Sequence, residues 1–287
     1  MVTGYGREVF STFVPSSASA KLAGRRTALL SGALLARHGN ALHGPMVEVG
    51  WRGRAPLAGV LRAVRHADAA CAVGVPAELR AQSPKASAGI VDEILAAADT
   101  ALYDRPLVIV ARAQPLPSGA SIDRLSEGLH HDLEAGFTSM AFLPAALAGD
   151  VDALVRVTAP LVEQDLGLEV ELDGTADAAL VLARIDDAGL SLAAVRGAEL
   201  HDELGGALLV VDMERRPTAA PAAAGPGAVL RIVVDGRLER ALKRVPADDT
   251  ERAEAAAYLE MTEVLAELHA GGTSSRLLDA LVQGMQK

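Results

Sequence analysis

The chain has 287 residues, half of them apolar, and a formal net charge of −10. That length and apolar content suit one large core, either a single α/β barrel of about 250 residues or two smaller domains. The acidic balance and an aromatic content of only 3% exclude the usual nucleic-acid partner, which needs basic surface and stacking platforms. A lone cysteine, Cys71, rules out an internal disulfide and fits a reducing compartment, so a cytoplasmic location is expected.

Near the start, Arg25-Arg26 followed by an apolar run superficially resembles a twin-arginine export signal. The run stops at Arg37 and His38, and no small-residue cleavage site follows closely. The spacing of Leu22, Leu29, Leu30, Ala33 and Leu34 instead predicts an amphipathic helix. No stretch of roughly 18 uncharged apolar residues occurs, so no membrane span is expected.

Short apolar runs then alternate with helical periodicity. Strands are predicted at Met46 to Val49, Ala69 to Val75, Leu107 to Val110, Ser139 to Leu143, Leu168 to Leu172 and Ser191 to Val195. Helices are predicted at Ala55 to Arg65, Ala86 to Leu102, Ile122 to Ala135, Asp150 to Leu166 and Ala176 to Ala188. Strand, helix and short connection repeat in a way that predicts a parallel sheet covered by helices and closed into a β/α barrel.

After residue 195 the regularity breaks. Ala207 to Val211 and Val229 to Val234 are strand-like, but Arg215 to Gly227 carries Pro217, Pro221 and Pro226 and reads as a loop, which trims the barrel by one helix. Ala247 to Ala270 is a long acidic helix ended by Gly271-Gly272, and a last short helix runs through Gln286. Residues 1–244 are thus read as a barrel with an N-terminal helix, and 245–287 as a C-terminal helical extension. The Leu259, Val264 and Leu268 stripe of the acidic helix packs on the barrel or docks on another subunit.

Several segments carry a family likeness. Pro106-Leu107-Val108-Ile109-Val110-Ala111-Arg112-Ala113-Gln114-Pro115 leads through a helix to Glu134-Ala135-Gly136-Phe137-Thr138-Ser139. Further on come Glu169-Val170-Glu171-Leu172 and Arg231-Ile232-Val233-Val234-Asp235-Gly236-Arg237-Leu238-Glu239. Together, from Pro56 to Arg244, the chain resembles a metal-dependent (class II) ketose-bisphosphate aldolase. That family has a strand ending His-Leu-Asp-His-Gly, an Ala-Gly-Phe-Thr-Ser turn, a Glu-Ala-Glu-Leu-Gly strand, two further histidine turns and a phosphate-binding strand. The resemblance implies a TIM-type (β/α)8 barrel, a zinc cofactor and a phosphorylated sugar substrate.

The reacting positions depart from the family. Ala111-Arg112-Ala113-Gln114 stands where the proton-handling aspartate and a metal histidine are implied, and a methyl group and an amide do neither job. Leu200 falls where a second ligand is implied, with His201 one position late; the turn of the third is absent; Gly236 and Arg237 alter the phosphate-binding turn. Aldol cleavage needs a Lewis acid on the developing enolate and a positioned proton-transfer group, and a catalytic zinc needs about three protein ligands.

Other residues are candidates to replace them. His130 and His131 are adjacent on a helix, about 100° apart, and do not share a metal easily. His38 and His43 read as loop residues, and Cys71 as a buried small hydrophobe. His201, beside Asp202 and Glu203, follows a strand end, where barrel active sites lie. Glu169 and Glu171 share one face of their strand and are predicted to point into the barrel, where Arg112, Arg196 and Arg231 are plausible partners. Either these form an ion-pair cluster filling the old site or they retain an anion-binding pocket. The candidate pocket is therefore Arg112, Gln114, Glu169, Glu171, Arg196, His201, Arg231 and Asp235, with no residue assigned as catalytic and none as a metal ligand.

Two functions remain from this reading. One is a catalytically silent aldolase-like barrel with a structural, regulatory or small-anion-binding role, needing no cofactor. The other is a metal-dependent lyase of carbohydrate metabolism with repositioned ligands such as Glu171 and His201 and a zinc ion. Expected partners are a protein or a second copy of the chain, or a phosphorylated small molecule; nucleic acid and membrane are not expected.

Overall fold

A computed structural model describes residues 20–22, 25–81, 84–112, 122–143, 151–172, 178–197, 208–215 and 230–285. In chain order the elements begin with β1 (Ala28–Leu29), α1 (Gly32–His38), β2 (Met46–Gly50), α2 (Arg54–Ala67), β3 (Cys71–Val75), α3 (Ala77–Arg80) and α4 (Pro84–Thr100). They continue with β4 (Pro106–Ala111), α5 (Ile122–Ala135), β5 (Ser139–Phe142), α6 (Val151–Glu163), β6 (Gly167–Glu171) and α7 (Ala178–Asp187). The last are β7 (Ala194–Arg196), β8 (Leu208–Asp212), β9 (Leu230–Val233), α8 (Asp235–Leu242), α9 (Thr250–Glu267) and α10 (Thr273–Met285).

Strands β2 to β9 are all parallel, each hydrogen-bonded to the next, and β9 returns to β2 through Met46–Arg231, Val47–Ile232 and Glu48–Val233. Eight parallel strands thus close into a TIM-type barrel with helices between them, as the alternating pattern predicts.

Period-two alternation sorts the strand residues into two cores. Val47, Val49, Cys71, Val73, Leu107, Ile109, Leu168, Val170 and Ile232 point outward into one cluster with the helices. Met46, Ala72, Val108, Val110, Leu208, Val210 and Val233 belong to the barrel interior. Leu34, Leu35 and Leu42 from one end of the chain and Leu277 and Leu281 from α10 join that interior cluster and close the barrel at the N-terminal ends of its strands. Arg276 Nε donates to the Leu42 carbonyl at 2.6 Å, and Thr273 Oγ1 accepts from the Ala70 amide at 2.7 Å, fixing α10 there.

The N-terminal helix expected across Leu22 to Leu34 is replaced by a 3-10 turn at Ala20–Leu22, strand β1 and the short α1. Ala28 and Leu29 pair with Pro106 and Leu107 of β4, and Leu29 and Leu30 enter opposite cores. A leucine-rich run of this length suits either period, and the free edge of β4 decides for strand. Ser31 then caps α1, its hydroxyl accepting from the amides of Ala33 and Leu34. The strand expected at Val229 to Val234 is found at Leu230–Val233, and the rest of the Arg231 to Glu239 stretch enters α8, which begins at Asp235. Between β8 and β9 the described residues hold only the 3-10 turn Met213–Arg215; the missing helix expected near Pro217, Pro221 and Pro226 falls outside the described residues.

The acidic helix α9 packs on α2 with Ala257, Met261, Val264 and Leu265 buried. Leu268 is buried as well, but Leu259 is 62% exposed and leaves the expected stripe. The two helices approach so closely that a Cβ added at Gly59 would collide with the Glu254 carbonyl oxygen. Gly59→Ala is therefore expected to cost about 1–3 kcal/mol by overpacking, read as a lower urea midpoint at unchanged m-value.

Candidate functional site

Charged side chains occupy inward positions of the strands, some of them at the C-terminal ends where reacting groups of a barrel enzyme would sit. Glu48 comes from β2, Arg112 from the residue after β4, Glu169 and Glu171 from β6, Arg196 from β7, Arg231 from β9 and Asp235 from the first turn of α8. Glu48 and Arg231 are fully buried, and Glu169 nearly so.

Glu48 is the hub. Its Oε1 accepts from Arg112 Nε at 2.8 Å and from Arg196 Nη2 at 2.9 Å, while Oε2 lies 2.9 Å from Arg231 Nε. Arg231 turns its other edge to Glu169 as a fork, Nη1 to Oε1 at 2.9 Å and Nη2 to Oε2. Ser139 donates its hydroxyl to the same Glu169 Oε1 at 2.5 Å. Arg112 Nη1 reaches Asp235 Oδ2 at 2.5 Å, and Asp235 also accepts the Gly50 amide. Arg196 Nε is 4.0 Å from Glu171 Oε2 at the outer edge.

Electrostatics follow from this crowding. Burial, the largest single influence on Glu48, pushes its carboxyl up, but Arg196, Arg112 and Arg231 together outweigh it and hold the group well below the usual carboxylate range. For Arg112 and Arg231 burial likewise disfavours the charge, and the facing carboxylates more than compensate, so both are held above the ordinary arginine value. These groups are locked in their charged forms. A carboxylate so far from neutral makes a poor general base, and guanidinium neither ligates a metal nor gives up a proton at neutral pH.

Space is committed too. A Cβ added at Gly74 on β3 would strike the Arg112 guanidinium and Glu48 Oε1, so the missing side chain is what lets Arg112 cross into the barrel. Among the described residues no group of three His, Cys, Asp or Glu side chains is placed to hold a metal ion. The described pocket therefore does not fit the zinc implied by the aldolase resemblance, since three guanidinium groups occupy its centre.

Of the residues singled out in the sequence, Arg112, Glu169, Glu171, Arg196, Arg231 and Asp235 come together here. Gln114 and His201 lie outside the described residues. His130 is on the outer helix α5, exposed and 3.4 Å from Glu134. Cys71 faces the helix layer, and burial followed by the Glu48 charge pushes its thiol well up, against any thiolate role. Glu48 was missed by sequence reasoning. Its one signal is a lone acid at an alternate position of Met46-Val47-Glu48-Val49-Gly50.

Fold and site define an α/β protein of the closed (β/α)8 barrel class whose interior is an Arg–Glu network. The same fold is seen in the YdjI aldolase from Escherichia coli K12, at 13% identity and TM-score 0.65 over 86% of this chain and 99% of that one. It is also seen in the fructose-bisphosphate aldolase of Campylobacter jejuni, at 13% identity and TM-score 0.61 over 85% and 96% of the two chains. A putative fructose-1,6-biphosphate aldolase from Coccidioides immitis gives 12% identity and TM-score 0.55 over 84% and 96%. At such identity the likeness is one of fold. No family model matches the chain, and no curated protein matches it by sequence.

Two outcomes test the network. Arg231→Met leaves Glu169 buried without its fork and is expected to cost about 3–5 kcal/mol, while Arg231→Met with Glu169→Leu recovers part of that loss, because a buried pair replaced whole is far less costly than one broken. Urea unfolding of the three proteins reads the difference. The depressed Glu48 carboxyl gives stability that is fully present above its unfolded value near pH 4.3 and is lost progressively as pH falls below it, since only the unfolded chain then takes up the proton. Glu48→Gln should flatten this acid limb in thermal melts from pH 7 to 3.

Proposed function

We propose that this protein is a catalytically silent aldolase-type barrel serving as a structural or regulatory protein. The observation that carries the reading is the occupation of the barrel interior by Glu48, Arg112, Arg196, Arg231, Glu169 and Asp235, each bound to an opposite charge. Aldol chemistry calls for an electrophile on the developing oxyanion and a proton-transfer group poised near neutral pH. The described interior offers permanently charged arginines and, at its hub, the Glu48 carboxylate held ionised. The aldolase fold of the structural neighbours supplies the scaffold side of the reading, and the residues at 111–114 supply the departure from it.

The small-anion branch of this function is weakened by the same contacts. Arg112 and Arg196 at the outer edge would attract a phosphate or carboxylate if free, but Glu48 holds both from below and Asp235 faces Arg112. A structural or regulatory role, exercised on a protein partner or on a second copy of the chain, requires no such vacancy. A cytoplasmic setting suits a single buried thiol, and no described helix is long and apolar enough to cross a membrane.

The test is direct. Purified protein, dialysed and assayed for metals, should hold no stoichiometric divalent ion, and coupled assays with fructose or tagatose bisphosphate should show no cleavage above background with or without added zinc. Retained zinc together with turnover would reverse the assignment in favour of a lyase using other ligands.

A further inference from the structure

A second buried ion pair lies on the outer side of the same strand ends and behaves oppositely to the inner network. Arg80, the last residue of α3, pairs through Nη1 with Asp132 Oδ2 of α5, and the Ser87 hydroxyl of α4 donates to Asp132 Oδ1 at 2.7 Å. The pair is largely shielded from water, with 14% and 8% of the two side chains exposed. Arg80 Nη2 donates to the backbone carbonyl of Arg112 at 2.5 Å. Its guanidinium carbon stands 5.7 Å from the centre of the Phe137 ring, and its Nε is buried with no hydrogen-bond partner. One guanidinium therefore joins an outer helix to the very residue whose side chain enters the barrel and binds Glu48 and Asp235.

We propose that Asp132 and Arg80 form a proton-operated brace on the mouth of the barrel: ionised Asp132 holds Arg80 against the Arg112 carbonyl, and neutral Asp132 lets that end of β4, and with it the Arg112–Asp235 contact, relax. The inner and outer pairs differ in compensation. Glu48 has three guanidinium partners, whereas Asp132 has one guanidinium and one hydroxyl. Burial accordingly dominates outside: it pushes Asp132 up and Arg80 down, both toward neutrality, the reverse of the directions found for Glu48 and Arg231.

The charged and titratable groups that face the pair are Glu78, which favours the Arg80 charge, and His131, whose protonation favours the Asp132 charge. Linkage gives the sign. A carboxyl whose folded value is raised binds its proton more tightly folded than unfolded, so its protonation as pH falls does not oppose the fold. The brace can open while the barrel stays closed. The idea goes beyond the functional reading above and holds whether or not the interior is silent.

The experiment is a pH titration of the full-length protein by NMR between pH 7 and about 3.5, following the Asp132 carboxyl carbon and the Gly50 and Arg112 amides. The Gly50 amide donates to Asp235 and the Arg112 amide to the Val75 carbonyl, so both sit at the mouth. In the wild type the three signals should share an inflection above the ordinary aspartate value of about 3.9, with far-UV circular dichroism unchanged. Asp132→Asn should abolish the inflection at Gly50 and Arg112, and His131→Gln should leave it. Arg80→Lys, which keeps the charge but loses the two-sided grip, serves as the second variant and should also abolish it. Mouth amides that stay flat through the Asp132 titration, an inflection that survives Asp132→Asn or follows His131, or global unfolding across the same window would each overturn the proposal.

Discussion

A carboxylate with no exposure to water persists only if countercharge surrounds it, and Glu48 sets that requirement for the whole barrel. Its partners arrive from β4, β7 and β9, and through Arg231 the requirement extends to Glu169 on β6. None of these residues is near another in sequence. The charges are satisfied only when the ring of strands has closed in one register, so closure and neutralisation are a single event. A one-residue slip of β9 would turn Arg231 into the helix layer and leave two buried carboxylates short of charge. Apolar fill could stabilise a barrel as well or better, so the network is best understood as fixing which arrangement forms rather than as adding strength.

That constraint also shapes what the mouth can do. An enzyme needs groups whose protonation states lie close in energy at working pH, and it needs room for a reactant. Glu48, Arg112 and Arg231 are driven far into their charged forms, and the arginine stems fill the volume that Gly74 leaves open. A barrel fold and the reactivity of its interior are separable properties, since function resides in a site and not in a fold.

Much of this was legible in the chain because its cause is local. The outward faces of the strands are nearly uninterrupted Val, Leu and Ile, and helices such as Ile122–Ala135 keep their apolar period to both ends. Glu169 and Glu171 were placed inside by their spacing alone, with Arg231 as a candidate partner, since an acid in a buried strand demands a base somewhere. The rest depends on information one sequence does not hold. Which arginine meets which acid is set by barrel closure, and Glu48 offered nothing beyond one charge in five residues. Ala28–Leu29 became a strand because β4 has a free edge there, and α8 was obscured because Asp235 follows β9 almost directly with no capping side chain to mark the start of a helix.

The contrast between the two sets of buried ions follows from geometry alone. Inside the barrel, parallel strands aim several side chains at a common axis, so one carboxylate gathers three guanidiniums and burial is overcome. Outside it, α3, α4 and α5 meet along a seam that admits one guanidinium, one carboxylate and one hydroxyl, and burial prevails. Convergence holds Glu48, Arg112 and Arg231 in their charged forms. Wherever such a barrel is to respond to its surroundings, the responsive groups belong in the helix seams behind the strand ends, because there a buried carboxylate meets fewer countercharges while contact with the mouth, here through the Arg112 carbonyl, is kept.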